Sequence, residues 1–279
     1  MRPLTAASRG LGLRPEFVDT LVETPAIQGL DFLEIAPENW MQLGGRKRDQ
    51  LDRIAERYPL IAHGLSLSIA DTEPLNTAFV RDVARFLDDY GVAIYSDHLS
   101  AARDGTGYLY DLLPVPRRAE NLPYLADRIA RVQDITGRQL VLENISAYHR
   151  YPGEMAEGAF FAELVARSGC GILLDINNAY VNACNHGTDA GAFLRALPSD
   201  AIVYYHIAGH LELADGMLLD THGTPVAEAV VELARETWAL HGPRPLLLER
   251  DNFVPELGAL LQDLGRIATA IDEDRHVLA

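Results

Sequence analysis

Leu140-Val141-Leu142-Glu143-Asn144 and Ile172-Leu173-Leu174-Asp175 share one grammar, three consecutive apolar residues closed by a carboxylate. A short apolar run without polar alternation is what a strand covered on both faces by crossover helices looks like. The same grammar extends in both directions. Leu60-Ile61-Ala62 closes on His63-Gly64, Ala93-Ile94-Tyr95-Ser96 on Asp97-His98, Ile202-Val203-Tyr204-Tyr205 on His206, and Leu246-Leu247-Leu248 on Glu249-Arg250. With two further runs near the start, the reading predicts eight strands. They are Gly10–Arg14, Phe32–Pro37, Leu60–Leu67, Ala93–Leu99, Gln139–Ile145, Gly171–Asn177, Ala201–Ile207 and Pro245–Arg250.

The intervening segments have helical period. In Asn76–Tyr90 the residues Phe79, Val80, Val83, Phe86, Leu87 and Tyr90 form one apolar face, and Gly91 follows as a C-terminal stop. Pro123–Ile135 ends at Gly137 in the same way. Between Thr224 and Gly242 the pattern predicts a helix capped by Thr224 with Pro225 in its first turn. Strands alternating with helices favour a single (β/α)₈ TIM barrel in the α/β class, spanning 1–279 as one domain. No G-x-G-x-x-G follows a strand, which removes the main support for a dinucleotide-binding sheet.

Bulk properties narrow the function. The 279 residues are 48% apolar, enough for one large core, and no run of about 18 apolar residues is present to span a membrane. The N-terminal residues lack the apolar stretch of a signal peptide, and Cys170 and Cys184 form no C-x-x-C pair. A cytoplasmic protein with no membrane partner is expected. Forty acidic residues against 24 basic ones give a net charge of −16, which argues against nucleic acid as a partner. Arg46-Lys47-Arg48, the one basic cluster, reads as a solvated loop or helix start.

The polar strand ends carry the chemistry. His63, His98, Glu143, Asp175, His206 and Glu249 are spaced by 35, 45, 32, 31 and 43 residues, each interval one barrel step, the two long ones with insertions. In a barrel of this kind all six lie at the C-terminal mouth, where active sites form. A lone histidine or carboxylate there is ordinarily structural. Six on successive strands would repel and desolvate one another unless cations sit among them. Imidazoles mixed with carboxylates suit iron, zinc or manganese. The loop after the seventh strand adds Asp220-Thr221-His222, and Asn178 follows Asp175 at the spacing of a D-x-x-H pair. Asp97, Asn144, Asn177 and His210 are candidates to orient the ligands, with His186 at even odds. His149, His241 and His276 are assigned to solvated surface. Cys170 reads as a small packed residue.

This order of residues resembles the trinuclear ligand set of the endonuclease-four and xylose isomerase-like barrel superfamily, with Asn178 where the DNA-repair endonuclease has histidine. Longer strings narrow the resemblance. Gly10-Leu11-Gly12-Leu13-Arg14, Glu38-Asn39, His63-Gly64-Leu65-Ser66-Leu67-Ser68, Asp97-His98-Leu99-Ser100, Asp111-Leu112-Leu113-Pro114, Asn185-His186-Gly187 and His206-Ile207-Ala208-Gly209-His210 are similar to the multinuclear non-heme iron-dependent oxidative enzymes, the MbnB/TglH-like family. The resemblance covers nearly the whole chain and implies the following. Two or three irons are held, the first by His63, His98 and Glu143. Asp175, His206 and Glu249 hold the second, with Glu143 or Glu249 bridging, and Asn178, Asp220 and His222 hold the third. O2 is the co-substrate, a ribosomally made precursor peptide is oxidised, commonly at cysteine, and a small partner protein presents it. Two other reactions use the same barrel, metal-dependent phosphodiester hydrolysis and sugar isomerisation. The acidic charge and Asn178 count against the first, and Lys47, the only lysine, counts against a lysine-assisted version of the second. A binding module without catalysis is the third alternative.

Overall fold

A computed structural model of the chain describes residues 4–272. Eight parallel strands close into a barrel: β1 (Arg9–Gly12), β2 (Phe32–Ile35), β3 (Leu60–His63), β4 (Tyr95–His98), β5 (Leu140–Glu143), β6 (Gly171–Asp175), β7 (Ile202–Ile207) and β8 (Leu246–Leu248). Each pairs with its sequence neighbours, and β1 joins β8 through Arg9↔Leu246 and Leu11↔Leu248 to complete the ring. The expected (β/α)₈ barrel is therefore present, its strands in the expected order. The observed strands are shorter than the apolar runs, and β6 stops at Asp175 because Asn177 and Asn178 already belong to a helix.

Two apolar layers hold the barrel. Outside it, the inner faces of the helices Thr77–Asp89, Leu122–Thr136, Glu157–Ser168, Glu228–His241 and Leu257–Asp272 pack on one side of the strands. Inside it, Phe32, Ile61, Val141, Leu173, Tyr204 and Leu247 from six strands form a separate cluster. Alternate residues of a strand point the same way. The residues two further on, Glu34, His63, Glu143, Asp175, His206 and Glu249, are therefore stacked above that apolar floor. Gly10 makes the floor possible, since a Cβ there would lie 2.4 Å from the Phe32 ring.

The glycine stops expected after two helices are in place. The Asn76 side chain accepts from Phe79 N and caps Thr77–Asp89, while Gly91 and Gly137 take the left-handed conformation just past their helices. The Thr224 cap is a correction: that helix starts at Glu228 behind Ala227. The Thr224 hydroxyl instead donates to His210 O, tying down the loop beneath it. Two ribbons were not anticipated, Ser100–Asp104 with Gly107–Pro114 and Leu211–Glu212 with Leu218–Leu219. Both rise from the C-terminal ends of barrel strands, the first from β4 and the second from β7. Among the described residues no helix is long and apolar enough to cross a membrane.

Candidate metal centre

The six strand-end residues converge. Three groups of candidate ligand atoms, each within 4.8 Å of one another, form a line across the mouth: His63/His98/Glu143, then Glu143/Asp175/His206/Glu249, then His222/Glu249/Asp251. The groups share carboxylates. Glu143 Oε2 lies 3.1 Å from His63 Nε2 and 3.2 Å from His98 Nε2, while its Oε1 lies 3.5 Å from His206 Nδ1. Glu249 Oε2 lies 3.1 Å from His206 Nδ1 and 3.4 Å from His222 Nδ1. Nε2 of His63 and Nε2 of His98 face each other at 3.2 Å.

Electrostatics show why such a site suits cations. Burial and then the Glu143 charge push the Asp175 carboxyl well above its ordinary range. Burial works to depress the His63 imidazole, but Glu143 and Glu34 together outweigh it and raise the ring to about 9. His206 and His222 are raised in the same way, burial opposing and Glu34 with Glu249, or Glu249 with Asp220, prevailing. Protons stand where positive charge is needed. Glu143 Oε2, Asp175 Oδ2, His206 Nδ1 and His222 Nε2 are buried and make no well-aligned hydrogen bond among the described residues, only ion-pair contacts where they have any. Unpaired lone pairs of this kind are costly. A divalent ion satisfies several at once, so the donor set fits a metal.

The surrounding residues fix the ligands. Asp175 Oδ1 accepts from Asn178 N at 2.6 Å and caps the helix Ile176–His186, leaving Oδ2 for the centre. Asn144 clamps the Asp175 backbone, donating to its carbonyl at 2.9 Å and accepting from its N–H at 3.0 Å. Asp97 accepts from His98 N and Leu67 N, and Gly64 lets it approach, because a Cβ there would lie 2.3 Å from Asp97 Oδ2. Asn177 donates to Asp220 Oδ1 and pairs with His210 Nδ1, both at 2.8 Å, and Asp220 Oδ1 lies 2.7 Å from His222 Nε2. Each of these four residues thus touches a candidate ligand or a neighbour of one.

Some expectations land elsewhere. The Asn178 side chain accepts from Ser146 Oγ and donates to Asn144 O. His186 ends its helix with Nε2 on Ala147 O. His241 is buried and not solvated, its ring held between Ser199 Oγ and Leu194 O. His149 is exposed as expected, and His276 lies outside the described residues. Burial pushes the Cys170 thiol up to about 11, in keeping with a packed residue. Three participants were missed. Asp251 completes the outer group, Arg14 pairs with Asp251 and approaches Glu249 to 3.8 Å, and Glu34 reaches His206 Nε2 at 3.1 Å from beneath.

Fold and site together define a xylose isomerase-like barrel with a candidate multi-metal mouth. Endonuclease IV of Thermus thermophilus shares the fold, with a TM-score of 0.59 at 17% identity over 95% of this chain and 99% of that one. So does a xylose isomerase-like TIM barrel protein of Mycobacterium smegmatis in complex with magnesium, with a TM-score of 0.57 at 13% identity over 97% and 99%. Residues 8–272 match the family described as RiPP precursor modification enzyme MbnB/TglH/ChrH, and the chain belongs to that family. A UPF0276 protein of Acinetobacter baylyi is 47% identical over 258 residues, 92% of this chain and 89% of the relative.

Proposed function

We propose that this chain is a multinuclear non-heme iron oxidase that uses O2 to modify a residue, cysteine being the leading candidate, of a ribosomally made precursor peptide. The observation that carries the reading is the sharing of Glu143 and Glu249 between adjacent ligand groups. Bridging carboxylates hold metal ions next to one another, an arrangement that two-metal hydrolases also use, and membership of the precursor-modification family favours the peptide-modifying reading. His63, His98, Glu143, Asp175, His206 and Glu249 would hold the two inner ions. Asn178, Asp220 and His222, with Glu249 and Asp251, would hold the outer one. Iron bound there supplies the redox chemistry, and the protein positions the reacting residue and keeps water out.

The mouth also supports a peptide substrate. Among the described residues, ten of the eleven exposed large apolar side chains follow barrel strands or open a helix on the mouth side, Leu65, Tyr108, Leu113, Tyr148, Leu211 and Phe253 among them. Leu240, at the end of its helix, is the exception. Such a rim around a polar centre suits an extended chain with apolar residues, and a small partner protein would present it.

Elemental analysis tests the reading on protein purified without oxygen from iron-supplemented cells, beside His63→Ala and Glu249→Ala. Two or more irons per chain, reduced in both variants, support it. Stoichiometric zinc that iron cannot replace overturns the oxidative reaction and favours metal-dependent hydrolysis.

A further inference from the structure

Beneath the candidate ligands, four hydrogen bonds join the rings of His63 and His206 through the barrel interior. His63 Nδ1 lies 2.8 Å from Ser96 Oγ, and Ser96 Oγ lies 2.6 Å from the Tyr204 hydroxyl. The Tyr204 hydroxyl lies 2.8 Å from Glu34 Oε2, and the same oxygen lies 3.1 Å from His206 Nε2. All five residues are buried, directly above the floor formed by Phe32, Ile61 and Leu247.

The direction of every bond follows from one residue. As a carboxylate, Glu34 accepts and cannot donate. Tyr204 gives its single proton to Glu34 Oε2. The phenol oxygen then accepts from Ser96, whose other acceptor, Ala62 O, is more distant at 3.3 Å. With its proton committed, Ser96 accepts from His63 Nδ1–H. His206 donates Nε2–H to Glu34 directly. In their neutral forms both rings therefore leave His63 Nε2 and His206 Nδ1, which face Glu143 at 3.1 and 3.5 Å, as the nitrogens free to bind a metal.

We propose that Glu34 is a positioning residue that sets the tautomers of two ligands in two different metal groups, acting on His206 by contact and on His63 through Tyr204 and Ser96. The proposal rests on the reading of His63 and His206 as ligands. It predicts an effect at a ring that Glu34 does not touch.

Zinc-loaded, ¹⁵N-histidine-labelled protein tests it, because zinc is diamagnetic and long-range ¹H–¹⁵N correlations show which ring nitrogen carries a proton. The native chain should show His63 with Nδ1–H and metal at Nε2, and His206 with Nε2–H and metal at Nδ1. Glu34→Leu should lower zinc affinity about 10–100-fold at both positions, the usual cost of losing a group that orients a ligand. Glu34→Gln retains an oxygen acceptor and should recover most of that loss. In a Tyr204→Phe background the relay is cut, so Glu34→Leu should weaken the His206 position alone. Metal at His63 Nδ1 in the native chain, or a Glu34→Leu effect at His63 that persists in Tyr204→Phe, overturns the proposal. Metal-free protein at alkaline pH, with both rings neutral, separates this from the metal reading. A His63 proton on Nε2 there refutes the relay whether or not zinc binds, and Nδ1–H without zinc binding refutes only the metal reading.

Discussion

Glu143→Gln should empty two metal positions at once, whereas His63→Ala should empty one. The carboxylate turns Oε2 toward His63 and His98 and Oε1 toward His206, so its charge serves both groups. The amide keeps the shape and cannot offer an anionic oxygen to each side. Loss of a group that only orients a ligand costs about 10–100-fold in affinity, and a shared ligand should cost at least the upper figure at each position. A hundredfold loss is roughly 3 kcal/mol. At a metal concentration 100 times Kd, each filled site stabilises the fold by about 2.7 kcal/mol, and a hundredfold weaker site stabilises it by only about 0.4 kcal/mol. Two sites in the native chain therefore give about 5 kcal/mol, or a Tm rise of roughly 10–20 °C at about 2–4 °C per kcal/mol. Scanning calorimetry with and without metal, joined to metal counts after desalting, measures both quantities. His63→Ala should keep about half of the native rise and Glu143→Gln almost none. Equal metal losses in the two variants would refute the shared-carboxylate geometry.

Three further outcomes are expected. In metal-free protein His63 sits at about 9, so its contribution to stability is complete below the ordinary imidazole value of about 6.5 and is lost as pH rises through 9. The loss should be on the order of 3 kcal/mol by urea titration. Metal affinity should rise over the same window, because binding displaces that proton. Gly64→Ala should drive Asp97 off the His98 and Leu67 amides and cost on the order of 1–3 kcal/mol, with weaker metal binding at the His63/His98 position. Unchanged melting and metal content would show that the loop gives way freely. Phe253→Ala removes a ring that is 89% exposed beside the outer group, so stability should change by less than about 0.5 kcal/mol. The KM for the precursor peptide should rise while kcat holds, and an unchanged KM would remove Phe253 from the peptide path.

Much of this fold was legible because parallel barrel strands are apolar on both faces and end in polar residues at one mouth. That contrast marked six of the eight strands, and with them six candidate ligands, without reference to three-dimensional contacts. What it could not mark was anything set by loop geometry. Asp251 lies two residues past Glu249 in a loop whose course depends on His222 O accepting from the Asp251 and Asn252 amides. Thr224 has the chemistry of a cap, but the His210 carbonyl claims its hydroxyl.

Glu34 was hidden for a different reason, and a stricter use of strand periodicity exposes it. It is followed by Ile35, so a search for an apolar run closed by a polar residue passes over it. Counting by interior parity does not. Ile61 to His63, Val141 to Glu143, Leu173 to Asp175, Tyr204 to His206 and Leu247 to Glu249 are each one step of two from the apolar floor to the polar layer, and Phe32 to Glu34 is the same step. The first strand obeys the parity with glycines. Gly10 yields floor space to Phe32, and Gly12 leaves room for the Arg14 guanidinium, which a Cβ there would approach to 3.0 Å. Strand β1 thus adds no side chain to the polar layer from these two positions. It admits instead a permanent cation beside Glu249 and Asp251, at the end of the line of groups farthest from His98. A ring that is anionic and imidazole-rich on seven strands and open on the first is asymmetric by construction. That asymmetry separates the inner pair of positions, closed by buried ligands, from an outer position whose carboxylate Asp251 is already shared with Arg14.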